Sequence, residues 1–154
     1  MAQQEMKMDH SHMPIALPEE AKPIALSLKL SGDAMSGYNL TLLTDNYLFG
    51  LPPAQMTMME MMSADIDEST GIVEGHAHLY VNGNKIQRIY GKYVHLPEDL
   101  FADGVNSVSV TLNNHGHMYW TMQDKKVIAT LFINRSSDKL ISYRFESFPS
   151  KSTN

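Results

Sequence analysis

The chain has 154 residues, 43% of them hydrophobic, which suits a single soluble domain. The sequence contains no apolar run long enough to span a membrane. A net charge of -5 argues against nucleic acids and acidic lipid surfaces as main partners. The absence of Cys excludes disulfides, thiolate zinc sites and cysteine nucleophiles, so a soft-metal site must use the imidazoles of 7 His and the thioethers of 12 Met.

Residues 1–23 are predicted to form a flexible tail, because three prolines prevent a continuous helix. The tail carries Met6, Met8, His10, His12 and Met13 between polar residues. Such a tail can capture or hand over Cu(I), and the alternatives are a disordered segment without a role or a cloning remnant. The first residues lack the basic start and apolar core of a signal peptide, so the chain is either cytosolic or the mature form of an exported protein.

From residue 24 onward the apolar residues alternate with polar ones, which predicts about eight short strands. The expected segments are 24–30, 38–44, 75–81, 85–90, 93–96, 107–112, 127–133 and 140–145, with a further short apolar run at 47–51. Short strands separated by turns, without a βαβ rhythm, predict an all-β fold. We therefore expect a two-sheet, immunoglobulin-like or cupredoxin-like sandwich over residues 24–148, followed by a C-terminal tail at 149–154.

A dense methionine cluster precedes the second half of the sandwich. Its members are Met56, Met58, Met59, Met61 and Met62. Three of them fall at helical spacing, which favours a short apolar turn packed on the sandwich over metal ligation. One or two of these thioethers could still reach a metal site.

Two histidines share one face of the strand predicted at 75–81. Alternation places its apolar side chains toward the core, and His76 and His78 on the opposite, solvated face. Ring nitrogens at neighbouring positions on one face can converge on one ion, which makes His-x-His two ligands of a metal site. The same motif also arises by chance on solvated faces.

Four further candidates lie in a strand and a turn. His95 is on the non-core side of its strand, and His115, His117 and Met118 follow the strand that ends at Leu112. His115 is equally well explained as a solvated turn residue. The predicted metal ligands are His76, His78, His95, His117, His115 and Met118.

Three segments carry a resemblance to a known family. They read Gly75-His76-Ala77-His78-Leu79-Tyr80-Val81-Asn82-Gly83, Arg88-Ile89-Tyr90-Gly91 and Tyr93-Val94-His95-Leu96. In these segments the chain resembles a small family of exported bacterial proteins, and Leu112, Asn113 and His117 continue the resemblance. It covers roughly residues 72–118, about a third of the chain, and leaves out the tail and the methionine cluster. The resemblance implies an association with copper handling in the periplasm.

Copper, as Cu(I) or Cu(II), is the predicted cofactor, because thioethers suit Cu(I) and are scarcely used for zinc. The predicted function is that of a periplasmic copper chaperone or scavenger, which binds the ion without turnover and exchanges it with another copper-handling protein.

Two alternatives remain. One is a copper oxidoreductase resembling Cu/Zn superoxide dismutase, since His76, His78 and His95 have a loosely similar spacing. That family's disulfide, zinc loop and late arginine have no clear counterparts in this chain. The other is a non-metal interaction domain with a pH-sensitive histidine face. A blue-copper electron carrier is excluded because its site needs a Cys thiolate.

Overall fold

The computed structural model describes residues 10–136 and 146–148, and in this part of the chain thirteen strands form two sheets. The strands are β1 (Pro14–Ala16), β2 (Ala25–Gly32), β3 (Tyr38–Asp45), β4 (Tyr47–Phe49), β5 (Asp65–Asp67), β6 (Ile72–Val81), β7 (Asn84–Ile89), β8 (Tyr93–Leu96), β9 (Val105–Asn113), β10 (Tyr119–Met122), β11 (Lys125–Lys126), β12 (Ile128–Asn134) and β13 (Glu146–Phe148). The predicted all-β sandwich is confirmed.

The helical content of the described residues is small. It consists of one α-helix, α1 (Met58–Met61), and two short 3-10 helices, His10–His12 and Glu98–Leu100. None of the helices in this part of the chain has the length and apolar character needed to cross a membrane.

The small sheet contains β2, β3 and β8 in that order, all antiparallel. In the large sheet, β6 is the central connection, because its second half pairs with β7 on one side and β9 on the other. Its first half pairs with β4 and β5. Strand β9 continues the sheet to β12, and its last residue pairs with β10.

One hydrophobic core fills the space between the two sheets. The small sheet contributes Leu26, Leu28, Leu30, Leu40 and Leu42, and the large sheet contributes Ala77, Leu79, Val81, Val108, Val110, Leu112, Ala129, Leu131 and Ile133. Within each of these strands the buried residues occur at every second position, which is why the sequence pattern identifies these strands correctly. Burial of each Leu side chain stabilises the fold by roughly 1.5–3 kcal/mol.

Strand β1 lies within the segment predicted to be a tail. It pairs in parallel with β10, and the backbone N–H of Leu17 donates to the carbonyl of Thr121. Ile15 is buried in the core, which provides the apolar contact that holds this strand at the edge of the sheet. Pro14 is the first residue of β1, a position where a missing N–H is tolerated. Residues 1–9, the strand predicted at 140–145 and the tail at 149–154 lie outside the described residues.

The methionine cluster does form a helix, but its side chains do not pack as expected. Helix α1 begins with a capping box, in which the Thr57 hydroxyl accepts from the Glu60 N–H and the Glu60 carboxylate accepts from the Thr57 N–H. Met58, Met59 and Met62 are 46%, 79% and 45% exposed. The prediction of an apolar cap packed on the sandwich is therefore wrong for these three thioethers.

Candidate metal centre

Three histidine rings meet at one point on the large sheet, on the face that points away from the core. Nε2 of His76 lies 2.9 Å from Nε2 of His78 and 3.0 Å from Nδ1 of His117. The third side of the triangle, from Nε2 of His78 to Nδ1 of His117, measures 3.2 Å. Thus three ring nitrogens from two separate parts of the chain form a compact triangle.

His76 and His78 are 0% exposed, so the predicted solvated histidine face is wrong. Alternation places both rings opposite the core, as expected, but other parts of the chain cover that face. The ring of Tyr90 stacks on His76 with centroids 5.1 Å apart. The His117 ring packs edge-on against His76 at 4.8 Å and tilted against His78 at 5.3 Å. The site is therefore a largely buried cluster of rings, with His117 as its partly exposed member.

Hydrogen bonds among the three rings cannot satisfy all three nitrogen–nitrogen contacts at once. In a neutral imidazole each ring nitrogen carries either a hydrogen or a lone pair. At least two of the three nitrogens must therefore be of the same kind. At least one of the three contacts then places a lone pair against a lone pair, or an N–H against an N–H. A cation at the centre removes this conflict, because all three lone pairs then point toward it.

The nitrogen separations also fit a metal ion. With metal–nitrogen bonds of about 2.0–2.1 Å, ligand nitrogens are roughly 3.3–3.4 Å apart at tetrahedral angles and about 2.9 Å apart at right angles. The observed separations of 2.9 to 3.2 Å lie at and just above the lower of these values. Such a trio occupies one side of an ion and leaves the other side open to an additional ligand.

The strand register explains why His117 reaches the two strand histidines. His76 pairs with Asn113 and His78 with Thr111, so the end of β9 lies directly beside the His-x-His motif. The chain then turns back immediately, and the N–H of His117 donates to the carbonyl of Asn114 at 2.9 Å. The turn places residue 117 over the face that carries both histidines.

Two buried asparagines hold this turn. The Asn113 amide donates to the carbonyl of His117 at 3.0 Å, and Oδ1 of Asn114 accepts from the N–H of Met118 at 2.8 Å. The turn carries His117 at a φ of 74°, in the left-handed region that non-glycine residues rarely adopt. Backbone strain of this kind costs about 1–3 kcal/mol and persists where the surroundings impose it.

The glycine before the first histidine is required by close packing. A Cβ on Gly75 would overlap the carbonyl oxygen of Asn113 and the hydroxyl of Tyr47. That hydroxyl lies 2.7 Å from the carbonyl oxygens of both His76 and Asn113, where it bridges β6 and β9. Burial raises the pKa of Tyr47, so the phenol keeps the proton that it donates.

The environment of His76 favours a neutral ring. Burial, followed by the charges of His78, His117 and Arg88, lowers the pKa of His76 to about 2. Because metals bind the neutral form of imidazole, this ring stays available as a ligand across the physiological pH range.

The remaining predicted ligands lie elsewhere. His95 is on β8 in the small sheet, where Nδ1 is 2.8 Å from Oδ1 of Asn39 and 3.8 Å from Oδ2 of Asp33. It does not join the three-histidine cluster. Met118 is buried with the hydrophobic core. Nε2 of His115 lies 2.8 Å from a Glu74 carboxylate oxygen, in a separate cluster.

Four residues that support the site were not predicted as site residues from the sequence: Tyr47, Tyr90, Asn113 and Asn114. The Asn113-Asn114 pair, placed before two closely spaced histidines, was the available signal, since Asn favours turns and the left-handed conformations around them. The two tyrosines carry no such signal, because both reach the site only through the packing of separate strands and turns.

A comparison of the chain with protein-family models, curated proteins and solved structures finds no significant match. The chemistry of the site is therefore derived from its own residues.

Proposed function

We propose that this protein is a periplasmic copper-binding protein, a chaperone or scavenger that holds one copper ion at His76, His78 and His117. The observation that carries the proposal is the convergence of three ring nitrogens within 3.2 Å of one another in a largely buried cluster. The resemblance to exported copper-associated proteins supports the compartment and the choice of metal.

The methionines support copper over zinc, which also accepts imidazole. Helix α1 is attached to the turn that carries His117, because the Asn114 amide donates to the carbonyl of Met61 at 2.9 Å. This contact brings a helix with exposed thioethers next to the histidine site. Thioethers favour Cu(I) and are poor zinc ligands, so these methionines suit the capture or delivery of Cu(I).

Exposure indicates the route to the site. His76 and His78 are fully buried, whereas His117 is partly exposed at the surface turn. An ion therefore enters and leaves on the His117 side, where a copper-handling partner can approach. The dismutase-like alternative included His95 as a ligand, and this residue lies in the opposite sheet.

Copper binding is tested by anaerobic titration with Cu(I) in competition with a chromophoric chelator, for the unaltered chain and the variant His117→Gly. Glycine is favourable at a positive φ, so this variant removes a ligand without requiring a new backbone conformation. We expect one tightly bound ion in the unaltered chain and at least about a 100-fold loss of affinity in the variant, since even supporting partners of ligands contribute 10–100-fold.

The matched control is His95→Asn, which changes a histidine outside the cluster and should leave Cu(I) affinity unaltered. Equal affinity of His117→Gly and the unaltered chain would refute the proposal. So would stronger retention of zinc than of Cu(I) in a direct competition between the two ions.

A further inference from the structure

A second group of potential ligands lies next to the three histidines. Nε2 of His115 is 2.8 Å from Oε2 of Glu74 and 3.4 Å from Oδ2 of Asp65. One ligand atom from each of the three side chains lies within 4.8 Å of the others. The group combines two carboxylates with one imidazole and shares no residue with the three-histidine site.

The fold builds this group from the same elements as the first. Glu74 precedes His76 by two residues on the same face of β6, and His115 precedes His117 by two residues in the same turn. Asp65 comes from β5, where it pairs directly with Glu74 across the antiparallel ladder. Like charges in directly opposed positions destabilise a strand pair, so this arrangement has a cost that a bound cation would remove.

His115 contacts both carboxylates from a buried position. Its side chain is 3% exposed, and Nδ1 has no hydrogen-bond partner among the described residues. No Lys or Arg in the described part of the chain forms an ion pair with either carboxylate. A bound divalent cation would place a permanent positive charge beside Asp65 and Glu74, which no Lys or Arg of the described residues supplies.

The group is accessible from solvent, unlike the two buried histidines of the first site. Asp65 and Glu74 both line an open cleft of about 440 Å³, together with Tyr47, Ile66 and Ile72. The carboxylates are 61% and 38% exposed, whereas the imidazole of His115 is 3% exposed and lies against them. A hydrated ion can reach the carboxylates through this cleft and retain water on its outer side.

We infer that Asp65, Glu74 and His115 form a second cation site, separate from the copper site, for a divalent ion such as Zn²⁺. Two carboxylate oxygens and one imidazole nitrogen match the ligands that Zn²⁺ accepts, and the set contains no soft donor for Cu(I). The second site is therefore expected to discriminate against Cu(I), whereas the three-histidine site can accept either ion.

The test is the zinc stoichiometry of the full chain, measured by equilibrium dialysis with metal analysis and by native mass spectrometry. Because Zn²⁺ also binds imidazoles, we expect two equivalents in the unaltered chain and one in Asp65→Asn, Glu74→Gln and His117→Gly. The control Glu68→Gln removes the same charge from an exposed residue outside the group and should retain two equivalents. The double variant His117→Gly with Glu74→Gln should bind none.

Cu(I) titration separates this inference from the proposed function. If only the copper site exists, zinc uptake is one equivalent and is unaffected by Asp65→Asn, which overturns the second site. If only the second site exists, Asp65→Asn abolishes zinc uptake, His117→Gly has no effect, and Cu(I) is not bound. Circular dichroism identifies any variant that fails to fold. The exposed Asp65→Asn substitution then decides the outcome, through its loss or retention of one zinc equivalent.

Discussion

The backbone of His117 links the geometry of the metal site to local strain. With a φ of 74°, the residue adopts a conformation that glycine accepts more readily than any side-chain-bearing residue. The contacts of Asn113 and Asn114 hold it there, so part of the turn's hydrogen bonding maintains a ligand position. The backbone conformation that places the His117 ring at the site therefore lowers the stability of the fold.

The first prediction concerns the backbone strain at residue 117. In the absence of metal, His117→Gly should unfold at the same temperature as the unaltered chain or at a higher one, because relief of strain of about 1–3 kcal/mol offsets the entropy that glycine adds to the unfolded state. Differential scanning calorimetry of the metal-free proteins measures the difference. A clearly lower unfolding temperature would mean that the His117 ring stabilises the fold more than its backbone strains it.

The second prediction concerns Gly75. A methyl group at this position overlaps a backbone carbonyl of β9, which cannot move without separating the two central strands. Gly75→Ala should lower the free energy of unfolding by about 1–3 kcal/mol or more, as measured by urea denaturation. Gly91→Ala is the control, since nothing lies within 4 Å of the added carbon, and its effect should stay within about 0.5 kcal/mol. Equal effects of the two substitutions would contradict the close approach at Gly75.

At the scale of elements, the turn after β9 joins the metal site to helix α1. The Asn114 amide donates to the carbonyls of Met61 and Ser63 at 2.9 and 3.1 Å. A Cβ on Gly116 would overlap the carbonyl of Met61, so the two segments are in direct backbone contact. The methionine-rich helix is therefore held beside the histidines although its own side chains remain largely exposed.

The third prediction tests this connection. Asn114→Asp removes both donated hydrogen bonds and keeps the oxygen that accepts from Met118, so α1 should detach while the turn itself persists. We expect Cu(I) affinity to fall about 10–100-fold, as for the loss of a partner that orients a metal ligand. Chelator competition measures the affinity. Asn84→Asp introduces the same charge at an exposed site and should have no effect, and equal affinities of both variants would contradict a role for α1 in the site.

At the scale of the whole molecule, the buried histidines make stability depend on pH. His76 has its pKa lowered to about 2 in the folded state, while an unfolded histidine titrates near 6.5. Below about pH 6.5 the unfolded chain binds a proton at His76 that the folded chain does not, so acid favours unfolding. Burial is the main cause of the lowered pKa of His76, and Coulomb interactions with His78, His117, Arg88 and His115 add to it.

The fourth prediction follows from this difference. The free energy of unfolding of the metal-free protein should be constant above about pH 6.5 and should fall below it, by up to about 1.4 kcal/mol per pH unit for each proton taken up. Urea denaturation at a series of pH values measures the slope, which His76→Gln should reduce. A slope that is the same in both proteins would show that other groups account for the acid sensitivity.

The sequence by itself determined the strands β2, β3, β4, β6, β7, β8, β9 and β12 and the face on which His76 and His78 lie, because period-two alternation is a local property of the chain. The short strands β1, β5, β10 and β11 were not predicted. The sequence also pointed to metal ligation through the absence of Cys and the spacing of the histidines. Only the tertiary structure decided which histidines meet. The register that pairs His76 with Asn113 brings His117 to the site, whereas the pairing of β8 with β3 carries His95 to the other sheet. The burial of His76 and His78 also could not be predicted from the alternation. Alternation separates the two faces of a sheet, but it cannot show that a distant turn and Tyr90 cover the outer face.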